Sequence, residues 1–203
     1  MSITIRILKR LQKSLPGTRL CKDVLVLTPT ERIVRGFTFE RTIEKGRYYF
    51  WRVVMPLYSP TDFLHLTYSN RISDGKMFYL SPENIDEVTS QILKIVLDED
   101  FDYLRDIRHP KDFLSVKIGH PGLASSIDHA VTYFLLGDIT ACIKLLEEGL
   151  AKNPYPDYPH AKEASALLKD LKASPANAVR RIEGWERANI EMLGLRETMG
   201  RIA

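Results

Sequence analysis

The chain begins with a stretch in which apolar residues recur at helical spacing and basic residues fill the positions between them. The apolar positions are Ile3, Ile7, Leu8, Leu11 and Leu15. This period is typical of a helix with one apolar face. Pro16 disfavours helical geometry in the residue before it, and Gly17 follows as a terminator. The pattern therefore predicts a basic amphipathic helix that ends by Leu15.

Runs of β-branched and aromatic residues follow, separated by turn residues such as Glu44-Lys45-Gly46. Such runs indicate strands. The predicted strands are Val24–Leu27, Ile33–Glu40, Arg47–Leu57, Phe63–Tyr68 and a short one over Met77–Leu80. We expect an antiparallel meander of four or five strands that packs on the first helix. In the longest run, alternation places Tyr49, Trp51, Val53, Met55 and Leu57 on one face, which we expect to be the core face.

The period changes to that of a helix after Ser81. Ser81 is a good N-cap and Pro82 a good first helical residue, so the pattern predicts a helix from there to about Leu97. We expect Asp100 to cap a separate short turn that ends at Ile107. Three further helical regions are predicted: Ile127–Leu136, Ile139–Ala151 and a C-terminal pair split at Ser174-Pro175.

These elements predict an α+β fold. An N-terminal helix and an antiparallel sheet occupy residues 1–80, and a bundle-like helical region occupies residues 81–203. We expect the two parts to pack as one compact domain, because the chain is long enough for a single core.

One segment of the helical region resembles a single tetratricopeptide-type helical hairpin, at about residues 127–154. The matching residues are Ala130, Tyr133, Gly137, Asp138, Cys142, Leu146, Gly149 and Pro154. The resemblance implies two close-packed helices, a Gly-Asp turn and a proline that ends the second helix. The chain has no second copy at the family's spacing, and Cys142 and Gly149 replace its usual alanines. No family is recognised for the whole chain.

Charge is distributed unevenly along the chain, although the net charge is only +3. From Met1 to Arg52 there are twelve Lys and Arg against four Asp and Glu, and from Ser81 to Asp112 there are four against nine. These two parts are predicted either to attract each other within the fold or to present a basic surface to an acidic partner.

Two cysteines far apart, Cys21 and Cys142, favour a reducing, cytoplasmic location. No uncharged apolar run approaches the length of about 18 residues that crosses a bilayer. The basic first helix is also typical of organelle targeting or of binding to a membrane surface, and the sequence leaves these alternatives open.

Basic and aromatic residues alternate on the predicted strands and define the candidate binding residues. These are Arg35, Arg41, Arg47, Trp51 and Arg52, together with Tyr133 of the helical hairpin. Tyrosine, tryptophan and arginine are enriched at protein interfaces, and the same mixture can stack bases and neutralise phosphates.

Known reaction motifs are absent from the sequence: it contains no GxSxG, GxGxxG or GxxxxGK[ST] pattern. We therefore expect no cofactor, assign no catalytic residue and predict no metal site. The first hypothesis is a non-enzymatic protein interaction module, such as a regulatory, adaptor or toxin-neutralising subunit. The second is nucleic-acid binding through the basic strands. The third is an enzyme with a dispersed site that uses Asp62, His65 or His120. The sequence leaves the partner and the oligomeric state open.

Overall fold

The computed structural model describes residues 1–118 and 121–200. It confirms the predicted α+β fold: an N-terminal helix, an antiparallel sheet and then a helical region. The strands are β1 (Thr18–Cys21), β2 (Val24–Leu27), β3 (Ile33–Arg41), β4 (Arg47–Pro56), β5 (Asn70–Arg71) and β6 (Met77–Tyr79). The first four pair in sequence order, and β5 and β6 both pair with β4.

The helices are α1 (Ile3–Ser14), α2 (Ile85–Ile95), α3 (Phe101–Asp106), α4 (Pro110–Phe113), α5 (Leu123–Leu135), α6 (Ile139–Lys152), α7 (Pro159–Ala173) and α8 (Pro175–Leu193). A π-helical turn, Val96–Asp100, connects α2 to α3 without a break. None of the helices within the described residues is both long and apolar enough to cross a membrane.

The predicted strand at Phe63–Tyr68 is wrong, because this segment forms a loop with no ladder hydrogen bonds. An aromatic residue of this loop packs in the core. The Tyr68 ring is buried against Phe113, with the ring centres 4.5 Å apart. The short strand β1 escaped prediction since its sequence does not alternate. It pairs with β2 across a two-residue turn in which Lys22 adopts a φ of 51°.

Both faces of the sheet are covered, at different places. Phe39 pairs with Phe50 in the β3–β4 register and therefore shares its face. That face packs on α1 and α2 to form the main core. On the other face, Val53 and Met55 are buried, whereas Tyr49 and Trp51 are half-exposed. The expected core face was therefore wrong at one end of β4, because helices cover the opposite face there.

The second helix begins at Ile85, later than predicted. Ser81 and Pro82 lie in a turn that Asn84 closes, since its side chain accepts from the Ser81 amide and donates to the Tyr79 carbonyl, both at 2.9 Å. The Asp100 side chain makes no cap hydrogen bond at the start of α3.

The helical hairpin predicted from the tetratricopeptide resemblance is present as α5 and α6. Gly137 adopts a φ of 87° in the turn, and the Asp138 side chain caps α6 by accepting from the Ala141 amide at 2.8 Å. Gly149 lies where the two helices approach closely, because an added Cβ would lie 3.0 Å from Ser126 Cβ on the facing helix. The split between α7 and α8 at Ser174 is also confirmed, with Ser174 as the N-cap.

Candidate functional site

The basic residues that were predicted to form a binding surface do not lie on a common surface. Arg35 is only 5% exposed and its guanidinium donates to the backbone carbonyls of Pro29 and Leu104. This corrects its placement on the outer surface of the strands. Arg35 lies on the sheet face that the helices cover, which the alternation of β3 alone could not reveal.

The acidic segment neutralises Arg52. Its guanidinium donates to the Asp100 carboxylate at 2.7 Å and lies 4.2 Å from the centre of the Tyr103 ring. Both charged side chains are largely buried. The uneven charge was predicted either to attract within the fold or to form a basic surface for a partner. The Arg52–Asp100 pair is an example of attraction within the fold.

The remaining strand residues are divided between the two faces of the sheet: Arg47 and Trp51 lie on one face of β4, and Arg41, which pairs with Tyr48, lies on the other. The Trp51 indole donates to Glu40 at 2.9 Å, and the Arg71 guanidinium stacks on Tyr49 at 3.6 Å. Arg47 pairs with Glu44, whereas Arg41 is exposed at the end of β3. Carboxylates therefore partner much of the basic charge that could have met nucleic acid.

Tyr133 is half-buried on α5 and packs against the core of the helical region. Its backbone carbonyl accepts from the Leu136 and Asp138 amides at the hairpin turn. Tyr133 is not among the residues that line the large cleft described next. The structure thus places it within the hairpin and separates it from the strand residues.

A large cleft of about 780 Å³ lies between the loop after β4 and the helices. Residues within three separate segments form its walls: 59–67, 122–124 and 153–160. Three aromatic side chains at the cleft are largely exposed: Phe63 (57%), Tyr155 (69%) and Tyr158 (58%). None of the described residues that line it is Asp, Glu, Lys or Arg. We call this feature the aromatic cleft.

The aromatic cleft adjoins a second depression of about 510 Å³. The two share Gly122, Leu123, Asn153 and Tyr155, and the second continues over Ser126 and Gly149 of the α5–α6 hairpin. Together they form a groove at the start of α5 and the end of α6, and Lys152 lines its second part. The close approach of the helices at Gly149 shapes its floor.

Two histidines contribute polar groups to the aromatic cleft. Burial, together with the neighbouring charge of His160, lowers the pKa of His65 to about 4. Burial also lowers the pKa of His160, against the opposing influence of Asp62 and Glu163. Both imidazoles are therefore neutral at pH 7, and the described part of the lining carries no formal charge. His65 Nδ1 lies 3.2 Å from the Thr67 hydroxyl.

A buried carboxyl lies behind the cleft wall. Ser59 lines the cleft and donates to Asp128 of α5 at 2.6 Å. Burial raises the pKa of Asp128 to about 7, although the hydrogen bond from Ser59 acts in the opposite direction. The neighbouring Tyr58 and Thr132 hydroxyls are 2.8 Å apart. This polar network attaches the loop after β4 to α5.

Helix α8 holds the same loop from the other side. The Asn189 side-chain amide is fully buried and donates to the Leu57 carbonyl at 2.7 Å and to the Ser59 carbonyl at 2.8 Å. The start of the cleft wall is therefore fixed by two helices distant in sequence. Fixed walls favour binding, because little conformational freedom is lost.

The residues named for a dispersed enzyme site are only partly brought together. His65 lines the cleft and Asp62 acts electrostatically on His160, whereas His120 lies outside the described residues. The Ser59 hydroxyl donates directly to Asp128 and not to a histidine. Within residues 1–118 and 121–200, no cluster of three His, Cys, Asp or Glu side chains is placed to hold a metal ion.

Sequence reasoning missed the aromatic cleft. The signal was present in Asn153-Pro154-Tyr155-Pro156-Asp157-Tyr158-Pro159, where two tyrosines lie among prolines in a short loop. Prolines stiffen such a segment and keep its aromatic side chains out of a helix core. Exposed aromatics on a stiff loop are typical of a binding surface.

Comparison with known proteins gives no match: no family model, no curated protein and no solved structure corresponds to this chain. The class that the fold and the cleft define is an α+β protein with an aromatic cleft whose described lining holds no Asp, Glu, Lys or Arg.

Proposed function

We propose that this protein is a non-enzymatic intracellular interaction module that binds an extended, apolar segment of another protein in the aromatic cleft. The observation that carries the proposal is the aromatic cleft, whose described lining holds no Asp, Glu, Lys or Arg and three exposed aromatic side chains, Phe63, Tyr155 and Tyr158. Exposed apolar patches of this kind mark sites of interaction.

The shape of the groove supports a chain segment as the occupant. The aromatic cleft continues into the depression over Ser126 and Gly149, and this elongated form suits an extended peptide better than a compact molecule. Tyrosine side chains provide large contact areas at a low entropic cost. The absence of charge among the described residues of the aromatic cleft selects an apolar segment there, because burying an unpaired charge would be costly, whereas Lys152 lines the adjoining depression.

The basic strands support nucleic-acid binding less well. Arg35 is buried and Arg52 forms a largely buried ion pair with Asp100, whereas the pair of Arg47 with Glu44 is exposed and weaker. Guanidinium groups that already meet carboxylates are less available to phosphates. The two hypotheses differ in salt dependence, since nucleic-acid affinity falls steeply with salt and binding in an uncharged cleft does not.

Site-specific photo-crosslinking tests the proposal. A p-benzoylphenylalanine introduced at Phe63 is expected to crosslink a protein in extracts of the native cell, whereas the same group at Tyr79 is not. Tyr79 is a matched control, because it is similarly exposed (59%) and does not line the cleft. The captured protein is then purified and its affinity for this chain is measured by calorimetry.

The measured affinity has to depend on the cleft. We expect Tyr155→Ala and Tyr158→Ala each to weaken binding at least about tenfold, as interface tyrosines do. Tyr79→Ala should leave it unchanged. Equal labelling from both positions, or an affinity that neither cleft variant alters, would show that the partner binds elsewhere.

A further inference from the structure

A separate cavity of about 370 Å³ lies between the β2–β3 connection, the region of α3 and the end of α1. It shares no lining residue with the aromatic cleft. Of the charged residues that the structure describes, three arginines line it, Arg35, Arg105 and Arg108, against one carboxylate, Glu31. Phe101 and Leu27 provide apolar surface beside them. We call this feature the arginine cavity.

Arg35 is the buried cation of the arginine cavity. Its Nη2 donates to the Pro29 carbonyl at 2.7 Å and its Nη1 to the Leu104 carbonyl at 3.5 Å, and its Nε has no hydrogen-bond partner within the described residues. No carboxylate of the described part of the chain lies within ion-pair distance of it. Burial and the positive charge of Arg108 lower the pKa of Arg35, whereas Glu31 and Asp112 raise it from beyond ion-pair distance. A buried cation without a carboxylate in direct contact is unfavourable, so an anion in the cavity is favoured.

The other charged side chains at the cavity do not neutralise the positive charge of Arg35. Arg108 Nε donates only to the Arg105 carbonyl, at 2.9 Å. Arg105 pairs with Asp102, but both side chains are largely exposed, so water and salt weaken that pair. Glu31 is directed to His109, with 3.2 Å between Oε2 and Nδ1. The cavity therefore keeps an excess of positive charge.

We propose that the arginine cavity binds a small organic phosphate monoester, with the phosphate against Arg35, Arg105 and Arg108 and the organic part against Phe101. Planar guanidinium groups match the oxygen geometry of phosphate and can bind it through paired hydrogen bonds. A phosphate monoester carries close to two negative charges at neutral pH, which suits three arginines opposed by one glutamate. The volume lies at the small end of the range for ligand sites, which excludes large ligands.

Calorimetric titration of the full chain with phenyl phosphate and with inorganic phosphate tests this proposal, with sodium chloride at equal ionic strength as the reference. We expect saturable binding of both phosphates and tighter binding of phenyl phosphate. A response no larger than that to chloride would overturn the site. Equal affinities for the two phosphates would overturn the assignment to a monoester in favour of free phosphate.

Variants locate the binding in the cavity. Arg108→Ala should weaken phenyl phosphate binding at least about tenfold, since a charge-assisted hydrogen bond is lost. Glu31→Gln should strengthen it, because the opposing charge is removed; a purely structural role of Glu31 would not produce this gain. Arg187→Ala is the control, because Arg187 is exposed on α8 and pairs with Glu183 away from the cavity. Binding that Arg108→Ala leaves intact would place the anion elsewhere.

Discussion

Arg52 on β4 donates a hydrogen bond of 2.7 Å to Asp100, which lies in the π-helical turn between α2 and α3. The pair connects the basic part of the chain to its acidic part, and both side chains are largely buried. A buried ion pair of this kind fixes how the helices sit on the sheet, since either charge alone would be costly to bury.

Arg52→Ala is expected to lower the free energy of unfolding by about 3 kcal/mol, because Asp100 would remain buried without its partner. Urea denaturation measures the change. Arg47→Ala is the matched control: it removes an arginine from the same strand, but its pair with Glu44 is exposed, so the loss should be no more than about 0.5 kcal/mol. The double variant Arg52→Met/Asp100→Leu should recover most of the stability. Equal losses for Arg52→Ala and Arg47→Ala would contradict the structural role of the buried pair.

Asp128 should make stability depend on pH. Its pKa is about 7 in the folded protein and about 4 in an unfolded chain. Between these values the unfolded state loses the proton and the folded state keeps it, so folding stability falls as pH rises from about 4 to about 7. Asp128→Asn cannot titrate, so its stability relative to the wild type should increase across this window and level off above it.

The histidines act in the opposite direction within the same window, because their lowered pKa values make stability fall as pH decreases. Subtracting the wild-type curve from the Asp128→Asn curve cancels that contribution. The measurement is chemical denaturation at a series of pH values. A difference that does not vary with pH would mean that Asp128 titrates alike in both states.

Gly36 lies where β3 passes β2, and an added Cβ would be 2.1 Å from the Leu25 carbonyl oxygen. Backbone atoms cannot move aside as a flexible side chain can, so Gly36→Ala is expected to destabilise the protein by more than about 3 kcal/mol. Gly184→Ala is the control within α8, where an added Cβ meets nothing within 4 Å. It should instead stabilise the helix, by about 0.5 to 1 kcal/mol. Thermal unfolding of both variants measures whether the stability falls for Gly36→Ala and rises for Gly184→Ala.

Asn189→Ala removes the amide that holds the loop after β4. The Leu57 and Ser59 carbonyls would lose donors in a buried setting, and we expect a loss of about 2 kcal/mol. Hydrogen exchange provides a local readout: amides of residues 59–67 should exchange faster, whereas those of β2 should not. Unchanged exchange in this loop would show that α8 does not position the cleft wall.

Much of the fold could be predicted because its signals are local. The apolar stripe of α1, the Gly137-Asp138 turn and the Ser174 cap each act within a few residues. Prediction was wrong where an aromatic residue served a distant contact. Tyr68 reads as part of a strand, but its ring packs on Phe113 in another element. The prediction that Ser81 caps the second helix was also wrong, because Asn84 closes a turn at Ser81 and the helix begins only after it.

The candidate sites could not be predicted in this way. Arg35 on β3 and Arg52 on β4 carry the same charge and share one face of the sheet, yet Arg35 binds backbone carbonyls and Arg52 binds a carboxylate. Nothing within their two strands distinguishes them, because their partners come from other elements. The aromatic cleft likewise joins segments as distant as Phe63 and Tyr155.

The sequence by itself determined the α+β class, the helical hairpin and an uneven charge distribution. Periodicity, turn residues and caps act over a few positions, and charge can be counted. Only the tertiary structure decided which charges neutralise each other, which face of β4 the helices cover, and where uncharged and arginine-lined cavities form. Those outcomes depend on packing between residues far apart in the chain, and packing sets both burial and the distance between charges.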